Sequence, residues 1–109
     1  MGRIIVETDI FKNDWKRLEL SEDDKRDLDI TLFLNPKAGV VIKNTGGARK
    51  LRIEAHGHGK SGGARIIYVD FAVKEKIYLL VAYAKTEKED LEESEKKAVK
   101  QWIGRIANE

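Results

Sequence analysis

Apolar residues recur along this chain with two different periods. Residues 3 to 7, RIIVE, form a short β-branched run that predicts a first strand. Helical spacing follows: Ile10, Phe11, Trp15 and Leu18 place large side chains on one face of a segment that Thr8 or Asp9 caps. A second helix is signalled by Ser21 with Asp24 three residues on, an approximate capping box, and by an apolar face of Leu28, Thr31 and Leu32 with Ile30 and Phe33. Asn35 and Pro36 end it, because proline has no N–H to continue the ladder and restricts the residue before it.

From Ala38 the period shortens. GVVI reads as a short extended piece, Gly46-Gly47 as a turn, and ARKLRIEA as a half-buried strand. In that strand Leu51 and Ile53 face the core, Lys50 and Arg52 share the opposite face, and Arg49 sits at the strand's start on the core-facing parity. A glycine-rich loop leads to the strand-like ARIIYVDFAV, a charged VKEK turn, and a further strand, IYLLVAYA. Short loops between consecutive strands predict an antiparallel meander. TEKEDLEESEKKAVKQWIGRIANE reads as a closing helix, with Thr86 and Glu89 as its capping box and Leu91, Ala98, Trp102, Ile103 and Ile106 as its buried stripe. The expected fold is α+β, in the order β-α-α-β-β-β-α, with helices on one face of an antiparallel sheet.

Length narrows this to one domain, residues 1 to 109, since a chain of 109 residues closes a single core. An apolar fraction of 41% suffices for that core, and 37% charged residues imply a solvated exterior. No apolar run approaches the roughly 20 residues that cross a bilayer, and the N-terminus lacks the apolar stretch of a secretory signal, so a cytoplasmic location without membrane contact is expected. Absence of cysteine excludes disulfides and thiolate metal sites. The net charge of +2 is unevenly placed: Lys43, Arg49, Lys50, Arg52, Lys60 and Arg65 lie between residues 43 and 65 against the single acid Glu54. Such a block attracts polyanions, although many charge runs are only solvated surface.

The stretch RIEAHGHGKSGGARII contains Gly59-Lys60-Ser61, the end of a phosphate-binding P-loop. Glu54 stands where the first glycine of that motif belongs, and a strand follows instead of a helix, so neither backbone amides nor a helix dipole would meet phosphates. His56 and His58 lack the further ligands that hold zinc, and no metal or other cofactor is expected. What remains is basic and aromatic. Arg65, Tyr83 and Lys85 would meet Lys50 and Arg52 across one sheet face with few nearby acids. That set suits metal-free RNA cleavage: the 2′-OH attacks the adjacent phosphorus, cations stabilise the added charge, and a phenol whose ionised form the cations favour moves protons. A basic surface that binds RNA without cutting it fits the same residues.

NPKAGVVIKNTGGARKLRIEAHGHGKSGGARIIYVDF followed by IYLLVAYAKTEKEDL resembles the HigB-like branch of the RelE/ParE toxin superfamily, from bacterial type II toxin–antitoxin modules. The likeness rests on "NP-x-x-G", "GG-x-RK-x-R", "GK-x-GG-x-R-x-IY" and "YAK-x-E-x-x-DL" in that order. It implies helices packed on an antiparallel sheet and a ribosome-dependent endoribonuclease that cuts mRNA in the ribosomal A site. It also implies a cognate antitoxin, and contact with operator DNA only through that antitoxin. By motif, Arg49, Lys50, Arg52 and Lys60 would contact RNA, Arg65 would stabilise the transition state, and Tyr83 and Lys85 would transfer protons or position substrate. His56 and His58 stand where the family usually has lysine, so they join the RNA-binding set with a charge that grows near pH 6.5. Some members of the superfamily instead inhibit DNA gyrase and cut no RNA, so the fold by itself does not decide the reaction.

Overall fold

The computed structural model describes residues 2–55 and 63–109. Strand β1 (Ile4–Glu7) leads to helices α1 (Asp9–Arg17) and α2 (Glu22–Leu34). Strands β2 (Val40–Val41), β3 (Arg49–Ile53), β4 (Ala64–Phe71) and β5 (Lys76–Ala84) follow, and helix α3 (Glu93–Ala107) closes the order. Thr8 caps α1 by accepting from Phe11 N, and Ser21 and Asp24 form the capping box of α2. Between β4 and β5, Ala72–Lys74 makes one 3-10 turn before Glu75, in the left-handed region.

The sheet has the order β1-β5-β4-β3-β2. Strands β2 to β5 form the expected antiparallel meander, but β1 pairs with β5 in parallel, so the sheet is mixed. Hairpin logic governs strands that are neighbours in sequence. It does not reach β1, which meets β5 from the other end of the chain.

The expectation of helices on one face is also corrected, because both faces are covered. Phe11 and Leu18 of the α1 region and Leu28 and Leu32 of α2 pack with Ile66, Tyr68, Ile77 and Leu79. On the opposite face Val99, Ile103 and Ile106 of α3 pack with Ile67, Val69, Tyr78 and Leu80. This explains why β4 and β5 read as nearly continuous apolar runs: a strand covered on both sides has no wet face to alternate with. A bulge assists the second core. Ile67 pairs with Val81 and Tyr68 with Leu79, which leaves Leu80 unmatched and sets Leu80 and Val81 toward the same cluster.

Three details of the apolar pattern differ from expectation. Ile30 and Phe33 lie outside the buried stripe of α2, with more than half of each exposed, and the ring of Phe33 covers the backbone of Gly2. Ala98 is exposed and Val99 takes its place in the core. Most consequentially, Thr86 and Glu89 do not cap a helix. The chain makes turns until Glu92, whose N–H donates to Glu95 Oε1 at 2.8 Å, and α3 starts at Glu93. Leu91 is buried but precedes the helix.

Candidate functional site

Register brings the basic and aromatic residues together. On adjacent strands Arg52 stands opposite Arg65, and Arg65 opposite Tyr83. Lys50, two residues before Arg52, shares its face. Arg49 has the other parity, opposite Tyr68. There its guanidinium donates to the Gly39 carbonyl at 2.8 Å and the Lys37 carbonyl at 3.5 Å. Tyr68 OH completes this brace, donating to the Pro36 carbonyl and accepting from Gly39 N–H, both at 2.8 Å. The "NP-x-x-G" segment is therefore pinned to the sheet by Arg49 and Tyr68, on the face away from Lys50, Arg52 and Arg65.

Arg65 is only 4% exposed, yet its charge is satisfied. Its Nε donates to Glu89 Oε2 at 3.0 Å and its Nη2 to Glu89 Oε1 at 3.2 Å, a two-point fork. The same carboxylate lies 3.7 Å from Arg52 Nη2 and 3.8 Å from Lys50 Nζ. Lys50 Nζ also pairs with Asp90 and donates to the Glu89 carbonyl at 3.3 Å. The expectation of few nearby acids is thus corrected: Glu89 and Asp90, placed by the turns before α3, sit among the cations. This contact explains the late start of α3, since the long-range ion pairs of Glu89 outweigh its local role as a capping residue. Arg65 holds the Glu89 carboxyl below its ordinary range, and Lys50 does the same for Asp90.

Tyr83 is buried beneath this cluster, 2% exposed, and its OH donates to the Glu89 carbonyl at 3.3 Å. Burial, followed by the charge of Asp90, pushes its phenol up to about 12, against a smaller opposing effect from Arg65. The expectation that cations favour its phenolate is therefore reversed in this arrangement: desolvation and three acids, Asp90, Glu95 and Glu89, outweigh one arginine. Lys88 lies over the Tyr83 ring at 5.2 Å and pairs with Glu95. Lys85 is exposed just beyond β5, its backbone N–H donating to the Gly63 carbonyl at 3.2 Å.

Gly63 opens β4 with φ of 70°, and a Cβ there would fall 1.9 Å from the Ile53 carbonyl oxygen. Only glycine lets the strand carrying Arg65 approach the strand carrying Arg52 so closely. His56, His58 and Lys60, between those strands, lie outside the described residues. Among the described residues no group of three or more His, Asp or Glu side chains could hold a metal ion, and no helix is long and apolar enough to cross a membrane. Sequence reasoning missed Glu89 and Asp90 as members of the site. Asp90 is the acid of "YAK-x-E-x-x-DL", but Glu89 falls at one of its unspecified positions, and only the fold brings it to Arg65.

The architecture has solved counterparts. An arginine double mutant of the Escherichia coli toxin RelE in the free state superposes with a TM-score of 0.58 at 14% identity, over 82% of this chain and 90% of that one. The toxin–antitoxin complex RelBE of E. coli gives 0.56 at 12% identity, over 76% and 96%. At such identities the likeness is one of fold. The sequence itself matches a family model, the RelE toxin of the RelE/RelB toxin–antitoxin system, across residues 9–108. That match spans both cores and every residue of the basic and aromatic cluster, and the chain belongs to the RelE toxin family.

Proposed function

We propose that this protein, acting as one domain, is a ribosome-dependent endoribonuclease of the HigB-like branch that cleaves mRNA in the ribosomal A site and so arrests translation. The supporting observation is the cross-strand line of Arg52, Arg65 and Tyr83 with Lys50 beside it, cations and a phenol converging on one surface of three adjacent strands. In this reading the 2′-OH of one nucleotide attacks the neighbouring phosphorus, the P–O5′ bond breaks, and a 2′,3′-cyclic phosphate and a 5′-OH are left. Arg65 stabilises the charge that builds on the phosphoryl oxygens, the largest service a protein can render without a metal. Lys50 and Arg52 hold the flanking backbone. Tyr83, kept neutral by its surroundings, and Lys85 position the substrate or give a proton to the leaving O5′, while the proton of the attacking 2′-OH passes to water. Lys60, His56 and His58 extend the contact toward rRNA.

The partners in this reading are the ribosome and a cognate antitoxin, with operator DNA reached only through the antitoxin, all in the bacterial cytoplasm. The fold shared with the RelBE complex supports the antitoxin. Programmed ribosomes incubated with the protein and mRNA, followed by mapping of the 5′ ends, test the reading against its rivals. Cuts confined to the A site and lost in Arg65→Ala are expected. Intact mRNA with trapped gyrase–DNA cleavage complexes would establish gyrase inhibition instead, and intact mRNA with tight ribosome binding a module that binds without cutting.

A further inference from the structure

A phosphodiester that came to Arg65 would find its place taken. Two donors of the guanidinium, Nε and Nη2, are already engaged by Glu89 at 3.0 and 3.2 Å. A carboxylate held this way offers the same pair of acceptors as the two non-bridging oxygens of a phosphodiester. Arg65 cannot swing outward to a ligand, being 96% buried in β4 between β3 and β5. Glu89 can move. Its side chain is about half exposed, and it sits in the turns of residues 85 to 92, which belong to neither strand nor helix. The flanking cations meet at the same point, with Arg52 and Lys50 within 4 Å of the Glu89 carboxylate.

We propose that the Glu89 carboxylate occupies the position of the RNA phosphodiester, so that RNA binds by exchanging with Glu89 on Arg65, Arg52 and Lys50. The exchange deepens the nuclease reading and rests on it for the identity of the ligand. It replaces one anion by another, so the buried Arg65 charge is never left unpaired, which would be costly. It also discriminates. An anion that reaches Arg65 alone recovers only part of what Glu89 gives up, whereas a phosphodiester oriented toward Lys50 and Arg52 as well recovers it in full. The Glu89 carbonyl accepts from both Tyr83 OH and Lys50 Nζ, so a displacement that carries the backbone of this segment along with the carboxylate releases two further groups. One residue therefore holds the cation cluster and the phenol in a resting arrangement until the backbone of RNA replaces it.

Binding of a fluorescein-labelled 12-nucleotide RNA made non-cleavable by 2′-deoxy substitution tests this without ribosomes. Glu89→Gln and Glu89→Ala should each bind roughly tenfold more tightly than the wild type, equivalent to about 1.4 kcal/mol. Glu93→Gln removes the same charge from an exposed position outside the cluster and should change affinity less than about twofold. In an Arg65→Gln background the gain from Glu89→Gln should vanish, as a shared contact requires. The Arg65 Nε–H resonance of the wild type should shift on saturation with the RNA. The proposal is overturned if Glu89→Gln binds no more tightly than Glu93→Gln, if it fails to bind, or if its gain persists without Arg65. Exchange with no cleavage on ribosomes would sink the nuclease reading alone. A-site cleavage with no gain in Glu89→Gln would sink the exchange alone.

Discussion

Replacing Tyr83 by phenylalanine separates two ways in which a phenol could serve this site. In the resting structure the Tyr83 phenol is pushed up to about 12 by burial and then by Asp90. At pH 7 that leaves a phenolate fraction on the order of 10⁻⁵, too little for an efficient general base. Among the described residues the hydroxyl makes one hydrogen bond, 3.3 Å to the Glu89 carbonyl, so its loss should cost about 0.5–1.5 kcal/mol and leave the protein folded. Single-turnover cleavage on programmed ribosomes should then fall roughly 10- to 100-fold, from the loss of a positioning or proton-donating contact. The wild-type rate should show no first-order rise with pH between about 7 and 9 that depends on Tyr83. Absorbance at 295 nm, wild type minus Tyr83→Phe, should place the phenol's midpoint near 12. A midpoint near 10, or a rate that climbs tenfold per pH step in the wild type and is flat in Tyr83→Phe, would refute this reasoning. Linkage supplies a second readout. The unfolded chain loses this proton first, so the stabilisation is whole below about pH 10 and disappears as pH rises toward 12, by at most about 3 kcal/mol.

Other substitutions test the supports of the site. Tyr68→Phe leaves the buried Gly39 N–H without its 2.8 Å acceptor and should destabilise by about 1–3 kcal/mol, read as a fall of several degrees in Tm by calorimetry. Gly63→Ala puts a methyl 1.9 Å from the Ile53 carbonyl at a φ of 70° and should lower the urea midpoint by the equivalent of about 1–3 kcal/mol or more; an unchanged midpoint would contradict that strand contact. On the acid side, Glu89 and Asp90 are held below their ordinary ranges by Arg65 and Lys50. Their contribution is therefore present above the unfolded carboxylate range and is lost as pH falls through the depressed values. The double variant Glu89→Gln/Asp90→Asn should flatten the acid limb of a stability-against-pH curve.

Helices α1 and α2 were legible because their signals are local. Thr8, the Ser21 and Asp24 capping box and the Asn35-Pro36 stop each act within a turn of the chain. The strands that carry Lys50, Arg52, Arg65 and Tyr83 were legible as well, from alternating or apolar runs bounded by glycine-rich or charged turns. Their alternation correctly separated Arg49 from Lys50 and Arg52. Two-sided burial was not legible, since a continuous apolar run does not say which helix covers which face. The start of α3 was misread for a related reason: Thr86 and Glu89 satisfy the local rule for a cap.

Sequence by itself determined the α+β class, the antiparallel meander, the basic cluster and the family resemblance, because period, turn chemistry and motif order are properties of neighbouring residues. Tertiary structure decided the parallel pairing of β1 with β5, the division of helices between two faces, and the fate of Glu89 and Asp90. It also decided the state of Tyr83, whose ionisation depends on what buries it and which charges surround it. Glu89 lies 24 residues from Arg65 along the chain and 3.0 Å from it in space. Coulomb energy and desolvation depend only on the second separation.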